Sequence, residues 1–150
     1  MSKLKLYLDM CCFNRPYDDQ MQPRIQFESE AKLMIQSLIV NGTFDYTWSY
    51  VLEFENSNNP FREKREAILV FKQYSCEIIE PYQEIEDIAE GFQKIGLKAY
   101  DSLHLASAIY AGCDYFLTTD NKVLKKKSDK IIITDPITFI NQWLRGENSK

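Results

Sequence analysis

The sequence predicts a three-layer α/β/α sandwich around a central, mostly parallel sheet, and three observations predict it. Short apolar, aromatic or β-branched runs alternate with longer segments of helical spacing. Strands that alternate with helices pair in parallel through right-handed crossovers. Two of the runs end in an aspartate: Leu4-Lys5-Leu6-Tyr7-Leu8 leads into Asp9, and Asp114-Tyr115-Phe116-Leu117-Thr118-Thr119 leads into Asp120. A third acid, Asp101, stands at the start of a strongly apolar helical segment. Ligands of open α/β sheets bind outside the carboxyl ends of the strands, so acids delivered to that edge make a candidate divalent-metal site.

Each element has its own signal. Residues 3–8 read as the first strand. Residues 11–23 read as irregular, with Asn14-Arg15-Pro16 and Asp18-Asp19 as turn chemistry. From 25 to 40, Phe27, Ala31, Met34, Ile35, Leu38 and Ile39 recur at helical spacing, and Asn41-Gly42 ends that helix. Residues 43–48 are aromatic and β-branched, a second strand. Ser49 can cap the helix that follows, which carries Val51, Leu52, Glu53, Phe54 and Glu55. The run Asn56 to Asn59 breaks it, and Pro60 opens another helix with Ile68, Leu69 and Phe71 on one side. Residues 76–79 make a short strand ended by Pro81. Residues 85–95 make a helix closed by Gly96. Residues 98–111 are apolar on most faces, which marks a buried helix. Gly112 stops it before the strand that reaches Thr118. A last β-rich run spans 130–134, and Pro136 opens a terminal helix through Leu144.

A chain of 150 residues is expected to be one domain over residues 1–150, with its ordered core at residues 4–144. No stretch approaches the roughly 18 consecutive apolar residues of a membrane span, and Asp9 interrupts the N-terminal apolar run before a signal-peptide core could form. A cytoplasmic protein is expected. Four cysteines, no C-x-x-C pair and the single histidine His104 argue against a zinc site of the usual kind and for buried, reduced thiols.

The net charge of −4 does not exclude a nucleic-acid partner, because bound cations would offset a carboxylate site. Lys122, Lys125, Lys126, Lys127 and Lys130 follow Asp120 closely. Alone, such a run reads as a solvated face; beside an acidic edge it reads as a phosphate contact, with Arg15 as a further candidate. Among the aromatics, Phe27, Phe71, Phe92 and Phe116 are expected in the core, and Tyr17 and Tyr50 are looser candidates for base stacking.

Each acid also has a plainer role available. Asp9 and Asp120 could cap a turn or helix, and Asp101 could complement the dipole of the helix it opens. Three caps directed at one sheet edge are a less economical account than one site. A fourth acid must come from the helix after the second strand. Glu53 and Glu55 point about 200° apart on a helix, so only one can join. His104, three residues beyond Asp101 on a buried helix, reads as a satisfied core histidine.

Asp9 after the first strand, Ser49 six residues before Glu55, Asp101-Ser-Leu-His-Leu-Ala-Ser-Ala and Thr118-Thr-Asp120 together resemble the PIN-domain nucleases. The resemblance spans residues 4–140 and is most specific over 100–120. It implies motif acids at Asp9, Glu55, Asp101 and Asp120, with the Ser-to-Glu spacing favouring Glu55 over Glu53. It further implies Mg²⁺ or Mn²⁺ held by those carboxylates, cleavage of single-stranded RNA at phosphodiester bonds, a homodimer, and kinship with toxins held inactive by a small antitoxin protein. The segment 11–19 is unlike the short linker of the common toxin subgroup and sets the chain in a side branch. The rival reading is a catalytically silent module of the same fold that binds RNA or a protein partner. Covalent aspartyl chemistry is disfavoured because Cys11 stands where a second acid is needed, and a receiver-like domain because Asp9-Met10 lacks adjacent acids.

Overall fold

The structure, a computed structural model, describes residues 3–14 and 22–148. Among the described residues the strands are β1 (Lys5–Leu8), β2 (Asp45–Ser49), β3 (Glu77–Ile79), β4 (Tyr115–Leu117) and β5 (Ile132–Thr134). The helices are α1 (Met10–Asn14), α2 (Pro23–Val40), α3 (Tyr50–Ser57), α4 (Arg62–Lys72), α5 (Gln83–Lys94), α6 (Ala99–Tyr110), α7 (Asn121–Leu124) and α8 (Pro136–Asn148). The sheet runs β3-β2-β1-β4-β5 and every pairing is parallel. The predicted α/β/α sandwich is therefore present, with the strands fully rather than mostly parallel.

Strand alternation assigns the two helical layers. Tyr46 stacks on Phe71 of α4, and Trp48 meets Phe13 of α1 edge-on. Tyr7 and Thr47, paired in register, face the other way, where Tyr7 meets His104 of α6. Helix α2 packs on α8, and α5 on α6. The core gathers Leu6, Tyr7, Leu8, Trp48, Leu105 and Phe116, all fully buried.

The chain lays down β1, β2 and β3 in one direction, then returns to place β4 on the free side of β1. That reversal makes a topological switch point between β1 and β4, the usual crevice of such sheets. Asp9 and Thr118 both leave the sheet there, and Asp9 N–H donates to the Leu117 carbonyl at 2.9 Å.

Three details differ from the sequence reading. Residues 10–14 form α1 rather than irregular chain, with Cys12 N–H bonded to the Asp9 carbonyl at 2.9 Å. Phe27 and Met34 are 58% and 44% exposed, while α2 buries Glu28, Ser29, Lys32, Ile35 and Ile39. Ile35 and Ile39 are buried and Ala31 and Leu38 pack against the core as expected, but the inward stripe is rotated to take in Glu28, Ser29 and Lys32 in place of Phe27 and Met34. Helix α4 starts at Arg62, two residues after Pro60, and leaves Leu69 outside the core. Arg15 and Tyr17 lie outside the described residues.

Candidate active site

Asp9 is buried at the carboxyl end of β1, and its two oxygens have separate neighbours. Oδ1 accepts from Met10 N–H at 2.8 Å and lies 3.8 Å from His104 Nε2. Oδ2 accepts from the Thr118 hydroxyl at 2.8 Å and from the Cys11 thiol at 3.5 Å. Thr118 Oγ1 in turn accepts from Asp120 N–H at 3.1 Å. One threonine therefore ties the acid after β1 to the backbone of the acid after β4. The geometry thus gives Thr118 a hold on both acids.

Asp120 caps α7 by accepting from Lys122 N–H at 2.8 Å. The capping role and a place at the acidic edge coexist, since one carboxylate oxygen is enough for the cap. Asp101 stands in the first turn of α6. Its carboxyl is pushed above the ordinary aspartate range by partial burial, then by the charges of Asp9, Asp120 and, more weakly, Glu55, with His104 acting against them. Groups on β1, α3, α6 and the β4–α7 turn thus share one electrostatic field.

Glu55 and Glu53 part company. Glu55 Oε1 bonds His104 Nε2, inside the site. Glu53 takes Lys72 Nζ and the Trp48 indole N–H instead, on the opposite side of α3. The apolar stripe of α3 foretells this choice. Val51 and Leu52 are buried, and the same face continues at positions three and four further on, at Glu55 and Asn56.

His104 is fully buried, as expected of a core histidine, yet it also faces the acids. Burial pushes its imidazole down, but the Glu55 hydrogen bond and the charges of Asp9, Glu55 and Asp101 outweigh burial and hold it above its ordinary value. Its other nitrogen, Nδ1, is 2.6 Å from the Tyr7 hydroxyl, which is also 2.6 Å from Ser49 Oγ. The sequence signal was available: Asp101, His104, Leu105 and Ala108 recur at the spacing of one helix face, so the histidine shares its face with the acid.

The donor chemistry fits a hard divalent cation, which takes oxygen ligands. Thr119 Oγ1, buried one residue before Asp120, has no partner among the described residues, so that edge holds a polar atom left for something else. The side-chain arrangement is less closed. Among the described residues, no group of three or more His, Cys, Asp or Glu is placed to hold a metal ion, and Glu55 is engaged by His104. The electrostatic cluster exists, but its carboxylates are not drawn together around one point.

Around the edge, Lys122, Lys125, Lys127 and Lys130 are exposed, while Lys126 donates to the Ile95 carbonyl at 2.7 Å. Arg24, which the sequence reading did not single out, reaches Asn121 Oδ1 at 3.4 Å and pairs with Glu28 at 2.8 Å. It brings a mostly exposed guanidinium beside the Asp120 turn. No signal in the local sequence marks it, since the contact depends on packing across 97 residues. Tyr50 is half-buried at the start of α3.

No curated protein matches this chain. The family model described as PIN domain matches residues 7–130, a span that includes the four acids, His104 and Thr118. PIN domains are generally nucleases that use divalent metals. With the parallel five-stranded sheet and the acids at its switch point, the match shows that this chain belongs to the PIN-domain family.

Proposed function

We propose that the protein is a divalent-metal-dependent endoribonuclease that hydrolyses phosphodiester bonds in single-stranded RNA, with Asp9, Glu55, Asp101 and Asp120 holding Mg²⁺ or Mn²⁺. The observation that carries the reading is the pairing of Asp9 and Asp120 at the switch point through Thr118, beside an Asp101 carboxyl pushed up by partial burial and then by the charges of Asp9, Asp120 and Glu55. Carboxylates that repel one another in this way are stabilised together by a cation. When bound, such an ion supplies an activated water and neutralises charge at the phosphorus.

The chain's own groups supply the rest. Thr118 and Met10 N–H hold Asp9 in one orientation, and the α7 cap holds Asp120. The exposed lysines of residues 122–130, Arg24 and Arg15 grip backbone phosphates and place the strand without reading its bases. The proposal extends to a cytoplasmic, single-domain protein that acts as a homodimer and as the toxin of a toxin–antitoxin pair, restrained by a small antitoxin partner. Among the described residues no helix is long and apolar enough to cross a membrane.

A second reading, a silent PIN-fold module that binds RNA or a protein without cutting, is favoured by one observation. Among the described residues no group of three or more His, Cys, Asp or Glu is placed to hold a metal ion. Incubating wild type and Asp101→Asn with single-stranded RNA and Mn²⁺ or Mg²⁺ separates the two. Cleavage by the wild type alone supports the nuclease. RNA binding without cleavage by either protein supports the silent module.

A further inference from the structure

We infer that His104 is a positioning residue that fixes Glu55 for the metal, itself held in orientation by a relay through Tyr7 and Ser49. The inference rests on the ribonuclease reading above and concerns how its fourth ligand is kept in place.

The direction of the relay follows from counting protons. The Glu55 carboxylate only accepts, so His104 Nε2 must carry the hydrogen between them. In the neutral ring Nδ1 is then an acceptor, and the Tyr7 hydroxyl at 2.6 Å must donate to it. Tyr7 has one proton, so across its 2.6 Å contact with Ser49 the serine donates. Ser49 Oγ accepts from Leu52 N–H at 3.2 Å. Every proton in the series Leu52, Ser49, Tyr7, His104, Glu55 has one acceptor. The other tautomer fails this test. It would aim a bare Nε2 lone pair at Glu55 and Asp9, and would leave the Ser49 proton without an acceptor among the described residues.

All of these groups except Glu55 are fully buried or nearly so, and Tyr7 is further fixed by stacking on Phe116. Ser49 has two roles, because the same hydroxyl caps α3, the helix that carries Glu55. Glu55 itself is on the open side, its side chain 27% exposed. A glutamate so placed would sample several rotamers without a partner. With Oε1 taken by His104, Oε2 is the oxygen left for an ion. A hydrogen-bonded partner behind a ligand orients it and supports its affinity for the metal.

The test is Mn²⁺ binding by calorimetry on the full chain, for wild type, His104→Ala, His104→Gln and Tyr7→Phe. Circular dichroism of each verifies folding. His104→Ala should weaken Mn²⁺ binding by about 10–100-fold. His104→Gln, whose amide can donate from the place of Nε2, should restore most of the loss. Tyr7→Phe should weaken binding by less than His104→Ala. Unchanged binding in His104→Ala, or a glutamine variant no better than alanine, overturns the inference and leaves the nuclease standing. Absence of Mn²⁺ binding in the wild type overturns both.

A second measurement needs no variant. The chain has one histidine, so ¹⁵N-edited spectra report its tautomer without assignment. At alkaline pH the neutral ring should carry its proton on Nε2, and a proton on Nδ1 overturns the relay.

Discussion

Replacing Lys32 by methionine should stabilise the protein at neutral pH. Lys32 is fully buried on α2, and its Nζ has no hydrogen-bond partner among the described residues. Its nearest compensation is the face of Phe13, 4.0 Å from the ammonium. Burial lowers the amine from 10.5 to about 8, against the weaker pull of Cys12 and Cys11. The difference, 10.5 less about 8, corresponds to about 3 kcal/mol against the charged form. The Phe13 ring returns up to about 2 kcal/mol to the ammonium, so methionine should gain about 1–3 kcal/mol.

The sign with pH is fixed by the same numbers. Below about 8 the folded and unfolded chains both hold the proton, and the full cost of burying it is present. Between about 8 and 10.5 the unfolded chain binds the extra proton, so wild-type stability rises with pH through that window. Urea denaturation of both proteins at several pH values across this range is the assay. The buried tyrosines common to both proteins largely cancel in the difference. The gap should be widest below pH 8 and should close towards 10.5. A methionine variant no more stable than wild type at pH 7, or a gap that does not change with pH, would refute the reasoning.

Three further outcomes are expected. Asp101→Asn removes one of the mutually repelling charges, so it should raise the melting temperature of the metal-free protein while abolishing Mn²⁺-dependent cleavage; a scanning-calorimetry trace with a lower midpoint would contradict this. Glu53→Gln should leave Mn²⁺ binding intact and cost at most about 1 kcal/mol, the worth of a partly exposed pair such as Glu53–Lys72. Loss of metal affinity in that variant would mean that the wrong glutamate of α3 has been assigned. Gly112 ends α6 at φ +74 with open space around its Cβ position, so Gly112→Ala should cost about 1–2 kcal/mol from backbone strain alone, measurable as a shift in urea midpoint.

The sequence made the alternation of strands and helices legible because strong punctuation separates the elements. Gly42, Gly96 and Gly112 all take positive φ at helix ends, and Ser49 caps α3 through Leu52 N–H. Helix α1 escaped notice because five residues are too few to show a helical period. The orientation of α2 was misread for a different reason. Its apolar residues mark one stripe, but the face turned inward also carries Glu28, Ser29 and Lys32, the last of them over the Phe13 ring of α1, a contact that local periodicity does not encode. Arg24 at the Asp120 turn is hidden from local patterns by the same kind of long-range contact.

The acids were legible as positions and not as a geometry. Strand ends place Asp9 and Asp120 at one edge once β4 inserts beside β1, and the start of α6 brings Asp101 within their field. What binds them into a unit is carried by neutral or singly occurring groups, whose types suggest nothing in isolation. Thr118 joins Asp9 to the Asp120 backbone, and His104 joins Asp9 to Glu55. Asp9 is the common member of both links, one oxygen serving each. A change at Asp9 therefore reaches the Asp120 turn through Thr118 and alters the charge 3.8 Å from His104 Nε2, whereas a change at Asp120 meets the Thr118 link alone. The asymmetry comes from the position of β1 at the centre of the sheet: the residue that follows its last strand position has neighbours on both sides. A site built at this switch point gains its coupling from the fold, and the motif acids gain their order from Thr118 and His104 between them.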